Sequence, residues 1–149
     1  MSTPVDLVPA TDDDLPLIRE CIARFRLDDE NLAAGQFIVA REAGRVVAFG
    51  RIKPYAEVYE LGCVGVLEDA RGRGLGGLIV AELVRRFPVR AVYITTDLPG
   101  YFARFGFRPL PDPPADIAAK LRGICSRLRS GVIAMVRDRD ASIQGSGAP

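Results

Sequence analysis

Two stretches of the chain carry apolar residues at intervals of three and four, the spacing that places them on one face of a helix. The first stretch consists of Leu15, Ile18, Ile22 and Phe25. It follows Thr11 and a run of aspartates, which are typical of a helix N-terminus. The second stretch lies between Gly74 and Pro88. We therefore predict one helix over about residues 12–26 and another over about residues 74–87.

Shorter apolar runs in the first half of the chain predict strands. Residues 5–8 alternate between apolar and polar, as a short strand does. Residues 36–41 and 46–52 flank a turn at Gly44, whose freedom to adopt a positive φ suits an antiparallel hairpin. A long strand is expected over residues 57–67, where Gly62 and Gly65 indicate a bulge or a close approach by another group.

The second half continues the alternation of strands and helices. Val92 and Ile94 lie in a run, residues 89–95, that is typical of a strand with a parallel neighbour. Two helices should follow, a short one over residues 99–105 and a longer one over residues 116–128. A final strand is predicted over residues 131–136.

Composition places the chain among globular proteins. Its 149 residues suit one domain, and 48% are apolar while 26% are charged with a net charge of +1, so neither disorder nor a basic nucleic-acid surface is indicated. We expect one domain over residues 1–137 and a polar tail over residues 138–149. Because no apolar run is long enough to span a bilayer and the first residues do not resemble a signal peptide, a cytoplasmic location without membrane contact is expected.

The absence of histidine limits the chemistry more than any motif does. The sequence contains none, so Ser-His and Cys-His nucleophile pairs and histidine metal ligands are excluded. The three cysteines, Cys21, Cys63 and Cys125, lack CxxC spacing, which argues against a disulfide framework and against a zinc site. No metal is expected, and any general base must be a carboxylate, a tyrosine, a thiolate or a water molecule held by the backbone.

The segment RGRGLGG, residues 71–77, lies where a strand is predicted to give way to a helix. Such a turn exposes unpaired backbone N–H groups next to the positive end of the helix dipole, which together form an anion site. Gly72, Gly74 and Gly76 let the backbone approach phosphate oxygens closely, and Arg71 and Arg73 add positive charge. A diphosphate is therefore the expected ligand.

Other interpretations of this segment fit less well. A nucleotide-hydrolysing P-loop closes with Lys-Ser or Lys-Thr, whereas Gly77-Leu78 stands here. The dinucleotide-binding fingerprint G-x-G-x-x-G is not met, and a hairpin precedes the segment instead of the first strand of a βαβ unit. A flexible turn with solvated arginines remains the structural alternative.

Residues 71–76 match the Arg/Gln-x-x-Gly-x-Gly/Ala signature of the GCN5-related N-acetyltransferases, the GNAT superfamily. The chain resembles this superfamily over most of its length, in the order of its predicted elements and in the late Gly106-Phe107. The resemblance implies an α/β (α+β) fold in which helices flank a mixed sheet of six to seven strands with a bulged fourth strand. It also implies that acetyl-coenzyme A (acetyl-CoA) binds with its pyrophosphate on the glycine segment and its pantetheine amides along the bulged strand.

The cofactor contacts that this resemblance implies extend beyond the glycine segment. They are Cys63, Val64, Val66, Arg71, Gly72, Arg73, Gly74, Leu75, Gly76, Gly77 and Phe102. Many members of the superfamily place a tyrosine four residues before the glycine of Gly-Phe as proton donor to the departing thiolate. Here that position is Phe102, and the neighbouring Tyr101 would point elsewhere on a helix.

A narrower resemblance points to the acetyltransferase domain of N-acetylglutamate synthases. The segments that carry it are 60–66 (ELGCVGV), 93–96 (YITT), 101–109, 130–133 (SGVI) and Lys53-Pro54-Tyr55. In that pattern the catalytic glutamate stands three residues before Cys63, which makes Glu60 the candidate base. Thr95 is the candidate for hydrogen bonding to the thiol or the tetrahedral intermediate.

Each catalytic candidate also has a plain structural interpretation. Glu60 would then be a solvent-facing strand residue, and Thr95 a β-branched residue at the edge of a sheet. Cys63 is expected to pack or to line the acceptor site instead of acting as nucleophile, because the chain has no histidine to activate it. Direct transfer is therefore the expected mechanism.

An amino-acid acceptor would need a clamp for its α-carboxylate, and arginine provides the best donors. The acceptor-binding candidates are Arg26, Cys63, Arg127, Arg129 and Ser130. The synthase-like pattern has an arginine two residues before the serine, where this chain has Leu128 between two arginines. A solvated surface is the alternative role of these arginines.

The sequence therefore predicts an N-acetyltransferase that transfers the acetyl group of acetyl-CoA directly to a small amine, with an amino acid such as glutamate among the acceptors. The alternative enzymatic function is acetylation of a protein or peptide N-terminus. The alternative non-enzymatic function is that of a module that binds acyl-CoA without turnover. A homodimer is one expected assembly, and no nucleic-acid partner is expected.

Overall fold

The computed structural model describes residues 4–86, 90–128 and 130–138. The strands are β1 (Val5–Pro9), β2 (Phe37–Glu42), β3 (Arg45–Pro54), β4 (Tyr59–Val66), β5 (Ala91–Thr96), β6 (Arg108–Pro109) and β7 (Ile133–Asp138). The helices are α1 (Leu15–Phe25), α2 (Leu75–Arg86), α3 (Pro99–Ala103), α4 (Ala115–Lys120) and α5 (Ser126–Leu128).

The described strands form one seven-stranded sheet in the order β1-β2-β3-β4-β5-β7-β6. β1 pairs antiparallel with β2, and β2 pairs antiparallel with β3, which confirms the predicted hairpin. β4 pairs parallel with β5 at Glu60 and Tyr93, as the buried run of β5 predicted. β7 pairs antiparallel with both β5 and β6. The sheet is thus mixed and accompanied by helices, which confirms the predicted fold class.

Backbone contacts divide the chain into two compact units. The first unit comprises residues 1–52 and 62–86, and the second comprises residues 53–61 and 87–149. Strand β4 contributes its first residues to the second unit and the rest to the first. The assignment of residues 1–137 to a single domain stays a prediction.

The core of the first unit is built where the periodic pattern predicted it. Helix α1 buries Ile18, Cys21 and Ile22, and these side chains pack in one cluster with apolar residues of the hairpin and of β4. The remaining members of the cluster are Phe37, Val39, Val46, Phe49 and Cys63. Gly65 makes this packing possible, because a Cβ atom added there would lie 2.6 Å from the Phe49 ring. The close approach predicted for a glycine of this strand is confirmed at Gly65.

In the second unit, β5, β7 and α4 are among the elements that contribute buried apolar side chains. Val92 and Ile94 of β5 are 0% and 1% exposed, and Met135 of β7 is 1% exposed. Ile117 of α4 is fully buried as well.

Among the described residues, no helix combines the length and the apolar character that a membrane crossing requires.

Helix α1 begins later than the predicted residue 12, because a capped turn precedes it. Residues Asp12–Asp14 form a turn of 3-10 helix, and α1 itself begins at Leu15. The Asp14 carboxylate accepts a hydrogen bond from the Thr11 backbone N–H at 2.8 Å and closes a capping box. It also accepts from both terminal nitrogens of Arg41 on β2, at 3.0 and 2.5 Å. Burial acts to raise the pKa of Asp14, but the hydrogen bonds from Arg41 and Thr11 outweigh it and lower that pKa below 3.8.

We predict that Asp14→Asn lowers the free energy of unfolding by about 2 kcal/mol at neutral pH, because the charged hydrogen bonds to Arg41 are lost. A lowered pKa in the folded state stabilises the fold above the ordinary carboxyl pKa, and that contribution is lost as pH falls through the folded value. The difference between the wild type and Asp14→Asn should therefore shrink below about pH 4. Urea denaturation at pH 7 and pH 3 measures this, with Asp13→Asn, exposed in the same turn, as control. An equal difference at both pH values would contradict the prediction.

The ends of several other helices and strands differ from the predicted ones. The predicted helix over residues 116–128 is interrupted by a π-helical segment, Leu121–Cys125, between α4 and α5. The short helix ends at Ala103, before a turn in which Gly106 has a φ of +91°. The last strand begins at Ile133 and not at residue 131, where Gly131 has a φ of +71°. Asp138, the first residue of the predicted tail, ends β7 instead, and residues 139–149 lie outside the described residues.

Candidate active site

Strand β4 carries the irregularity that its glycines predicted, but at a different residue. Cys63, in the middle of the strand, has a φ of +50°, a left-handed conformation that is uncommon for a residue with a side chain. Gly62 and Gly65 do not have positive φ angles. A left-handed residue inside a strand is typical of a bulge, so we place the bulge of β4 at Cys63. Val64 and Val66, two of the predicted cofactor contacts, are half-buried on the same strand.

The segment between α1 and β2 is anchored to this bulge. The Cys63 thiol, 8% exposed, donates a hydrogen bond to the Asp28 carbonyl at 3.0 Å. Arg51 of β3 is 1% exposed and donates to the carbonyls of Asp28 and Glu30, at 3.2 and 3.0 Å. It also donates to Gln36 Oε1 at 2.8 Å and lies 3.5 Å from the Asp28 carboxylate. Arg51 thus holds residues 28–36 in place through several hydrogen bonds.

The glycine segment forms the predicted turn at the N-terminus of α2. Gly72 and Gly74 have φ angles of +83° and +77°, and α2 begins at Leu75. Nothing lies within 4 Å of a Cβ atom built at either glycine, so the backbone there is open to a ligand. Leu75 is buried and fixes the first turn of α2 in the core, while Gly76 and Gly77 are half-buried. An open backbone at the start of a 12-residue helix suits an anion.

Both arginines of the segment are held by the protein itself. Arg71 donates from Nε to the Val66 carbonyl at 3.0 Å, and its guanidinium lies 4.9 Å from the centroid of the Phe25 ring. Arg73 forms a bidentate ion pair with Glu42 at the end of β2. The hydrogen bond from Arg73 lowers the pKa of the Glu42 carboxyl. The positive charge of Arg73 is therefore balanced before any phosphate arrives.

In the second unit, three side chains meet at the Glu60 carboxylate; together with Glu60 we call them the Glu60 cluster. Oε1 accepts from the Tyr55 hydroxyl at 3.0 Å, and Oε2 accepts from the Thr95 hydroxyl at 2.9 Å. The Lys120 ammonium donates to both oxygens, at 2.8 and 2.6 Å. Glu60 is 1% exposed, so it is not the solvent-facing residue that the structural alternative described. The two catalytic candidates, Glu60 and Thr95, are thus brought into direct contact.

Sequence reasoning missed Lys120 and gave Tyr55 no role. Tyr55 was visible only as part of Lys53-Pro54-Tyr55, and Lys120 lies 60 residues from Glu60 along the chain. One signal could have pointed to Lys120. It follows the buried Ile117 by three residues and precedes the buried Ile124 by four, so it occupies the apolar face of its helix, where a lysine needs a partner.

Phe102, the last predicted cofactor contact, and its neighbour Tyr101 lie on α3. Phe102 is half-buried on α3, with its ring 6.0 Å from that of Phe107. Burial raises the pKa of its neighbour Tyr101, so at neutral pH this phenol keeps its proton.

Among the acceptor-binding candidates, Arg26 is exposed at the end of α1 with a φ of +58°. Arg127 and Ser130 are exposed in the second unit, and Arg129 lies outside the described residues. The acceptor-binding role of these residues therefore stays a prediction.

Comparison with known proteins decides the family. The sequence profile described as "Acetyltransferase (GNAT) domain" matches residues 33–109, more than half of the chain. The chain belongs to the GNAT acetyltransferase family. The matched segment contains the hairpin, β4, the glycine segment, α2 and the Gly106-Phe107 pair.

Solved structures share the fold. N-acetylglutamate synthase from Neisseria gonorrhoeae, complexed with coenzyme A and N-acetyl-glutamate, aligns with a TM-score of 0.74 at 18% identity over 93% of this chain. The chain spans 36% of the length of that synthase. Rv2747 from Mycobacterium tuberculosis, complexed with coenzyme A and a second ligand, aligns with a TM-score of 0.72 at 22% identity, covering 89% of this chain and 98% of Rv2747. An acyl-CoA N-acyltransferase from Pseudomonas aeruginosa aligns with a TM-score of 0.65 at 18% identity, covering 90% and 99%. No protein of curated function matches the chain by sequence.

The ion pair between Arg73 and Glu42 makes a prediction about coenzyme A affinity in this GNAT protein. If Arg73 contacts the phosphates of coenzyme A as predicted, Glu42 competes with them for its guanidinium, and Glu42→Gln should tighten coenzyme A binding by about two- to five-fold, the range expected for a partly exposed pair. Isothermal titration at low and high salt measures this, since the gain should shrink as salt screens the charges. Glu82→Gln, which removes the partner of Arg85 and Arg86 on α2, is the matched control. Unchanged or weaker binding by Glu42→Gln would show that Arg73 does not reach the phosphates.

Proposed function

We propose that this GNAT protein transfers the acetyl group of acetyl-CoA directly to the amine of a small molecule, with an amino acid such as glutamate as the first acceptor class to test. The observation that carries the proposal is the Glu60 cluster, a buried carboxylate held by two hydroxyls and an ammonium. Support for an amino acid comes from the gonococcal synthase, whose structure contains N-acetyl-glutamate.

Glu60 acts as the general base in this proposal. An amine attacks a thioester only after losing a proton, and the chain has no histidine to take it. Glu60 itself is almost fully buried, whereas Thr95 and Tyr55, which donate to it, are half-buried. A proton from the amine therefore passes to one of these hydroxyl oxygens as the hydroxyl gives its own proton to Glu60. The acceptor nitrogen then bonds to the acetyl carbon, the carbon–sulfur bond breaks, and the departing thiolate takes up the second proton that the nitrogen loses as the amide forms.

The glycine segment and β4 hold the cosubstrate in this proposal. Backbone N–H groups between Gly72 and Gly77 bind the pyrophosphate, because the positive φ angles at Gly72 and Gly74 leave the backbone open. Val64 and Val66 offer backbone groups to the pantetheine amides next to the bulge. Acetyl-CoA supplies the thioester that the amine attacks.

Direct transfer is favoured over an acetyl-cysteine intermediate. The Cys63 thiol donates a hydrogen bond to the Asp28 carbonyl and has no histidine to activate it. Cys63→Ala should therefore retain turnover, and no acetylated cysteine should accumulate before the acceptor is added.

A panel of acceptors tests the proposed function. Release of free thiol from acetyl-CoA is followed with each amino acid, with simple amines and with peptides that carry a free N-terminus. Saturable thiol release with one or a few amino acids is expected, and mass spectrometry should show the matching N-acetyl product. A response to peptides alone would replace the small-molecule acceptor by a protein N-terminus. If no acceptor responds while acetyl-CoA still raises the melting temperature, the chain binds acyl-CoA without turnover.

A further inference from the structure

The Glu60 cluster contains a lysine with no place in the reaction described above. Lys120 is the last residue of α4, and its ammonium donates to both oxygens of Glu60 at 2.8 and 2.6 Å. The Lys120 side chain is 9% exposed and that of Glu60 is 2% exposed, so water screens this pair very little. We propose that Lys120 is a positioning residue that, as the buried counter-charge in contact with both oxygens, holds the Glu60 carboxylate in the orientation in which it receives the proton. The inference rests on the proposed role of Glu60 as the base.

The physical need for Lys120 follows from the burial of Glu60. A carboxyl group removed from water favours its neutral form, and a neutral carboxyl cannot accept a proton. The hydroxyls of Tyr55 and Thr95 offer only hydrogen bonds, whereas Lys120 contributes a full positive charge in contact with both oxygens. Lys120 therefore supplies the cation that keeps the buried base usable.

The arrangement also fixes the direction from which the proton arrives. Lys120 spans both oxygens from α4, while Tyr55 approaches Oε1 and Thr95 approaches Oε2. An ammonium that bridges both oxygens prevents the carboxylate from turning away from the two hydroxyls. Lys53 is a second cation beside the cluster, with its ammonium 4.9 Å from the centroid of the Tyr55 ring. Lys53 therefore acts on Tyr55, while Lys120 acts on the carboxylate itself.

Lys120→Gln tests the proposal because it keeps a hydrogen-bond donor and removes the charge. We expect kcat/KM for the acceptor to fall by about 10- to 100-fold near pH 6 and to recover in part at higher pH. The acidic limb of the pH–rate profile should move upward by about one to three pH units, the shift expected when an adjacent opposite charge is lost. Lys120→Arg should retain the wild-type limb, and the KM for acetyl-CoA should stay unchanged in both variants. Arg122→Gln, an exposed position two residues further on, is the matched control.

A direct measurement keeps the test valid if Lys120→Gln does not fold. In the wild-type protein labelled with 13C at glutamate carboxyl carbons, the Glu60 resonance is assigned by its loss in Glu60→Gln. We expect this resonance to show the ionised carboxylate throughout the pH range in which the enzyme is active. A resonance of the neutral acid at neutral pH would overturn the proposal.

The outcomes separate this proposal from the proposed function. If Lys120→Gln has wild-type kcat and a wild-type pH profile while Glu60→Gln is inactive, Lys120 has no positioning role and the base remains Glu60. If Glu60→Gln is fully active, the proposed role of Glu60 fails whatever Lys120 does. If Lys120→Gln is faster than the wild type, Lys120 obstructs the base, and the positioning role is wrong.

Discussion

Glu60→Gln should lower kcat by about 10²- to 10⁴-fold, the usual contribution of a positioned general base. Glutamine has nearly the same shape as glutamate but cannot take a proton from the Thr95 or Tyr55 hydroxyl at neutral pH. The glycine segment is untouched by this change, so coenzyme A should bind with unchanged affinity. Thiol-release kinetics give kcat, and isothermal titration gives the affinity for coenzyme A.

The matched control for this experiment is Glu57→Gln. Glu57 lies three residues before Glu60 but is exposed, so the same change of charge there should leave kcat within about two-fold of the wild type. Because Glu60→Gln leaves the Lys120 ammonium without its buried counter-charge, the melting temperature is measured in parallel and the assay is run well below it. A folded Glu60→Gln protein with wild-type kcat would remove Glu60 from the mechanism.

The elements that bury one periodic face were predictable from the sequence. Helix α2 and the β2–β3 hairpin appear where the apolar spacing and Gly44 placed them, because each depends on residues close together in the chain. The glycine segment was predictable for the same reason, since the positive φ angles of Gly72 and Gly74 are a local requirement. Local requirements of this kind can be predicted from the residue types and from their spacing along the chain.

The surroundings of Glu60 could not be predicted in this way. The sequence suggested Glu60 through a resemblance and left open whether its side chain faces solvent. Its burial depends on α4, which brings Lys120 across 60 residues of chain, and no short-range pattern encodes that contact. The position of the bulge could not be predicted either. The left-handed conformation falls on Cys63 and not on the neighbouring glycines, which adopt it more readily. Tertiary packing decides both features.

Arg51→Met should lower the free energy of unfolding by about 3–5 kcal/mol, the cost expected when one partner of a buried ion pair is removed. Methionine fills similar space but donates no hydrogen bonds, so the Asp28 carboxylate and the carbonyls of Asp28 and Glu30 lose a buried donor. Against a typical total of about 5–15 kcal/mol, this is a large share of the stability. Urea denaturation at pH 7 measures it. Arg45→Met on the same strand is the control, because the Arg45–Asp69 pair is exposed and should contribute less than about 1 kcal/mol.

The same change should loosen residues 28–36 more than the rest of the first unit. Arg51 is the buried group that ties Asp28, Glu30 and Gln36 to β3, so without it the Asp28 carbonyl is no longer fixed above the Cys63 thiol. Amide hydrogen exchange in residues 28–36 should therefore speed up well before that of α2, and Cys63 should react faster with an alkylating reagent than it does in the wild type. Because the bulge at Cys63 is where β4 is proposed to meet the pantetheine, the KM for acetyl-CoA should rise in Arg51→Met and stay unchanged in Arg45→Met. If exchange quickens uniformly across the unit, Arg51 stabilises the fold as a whole and has no particular hold on this segment.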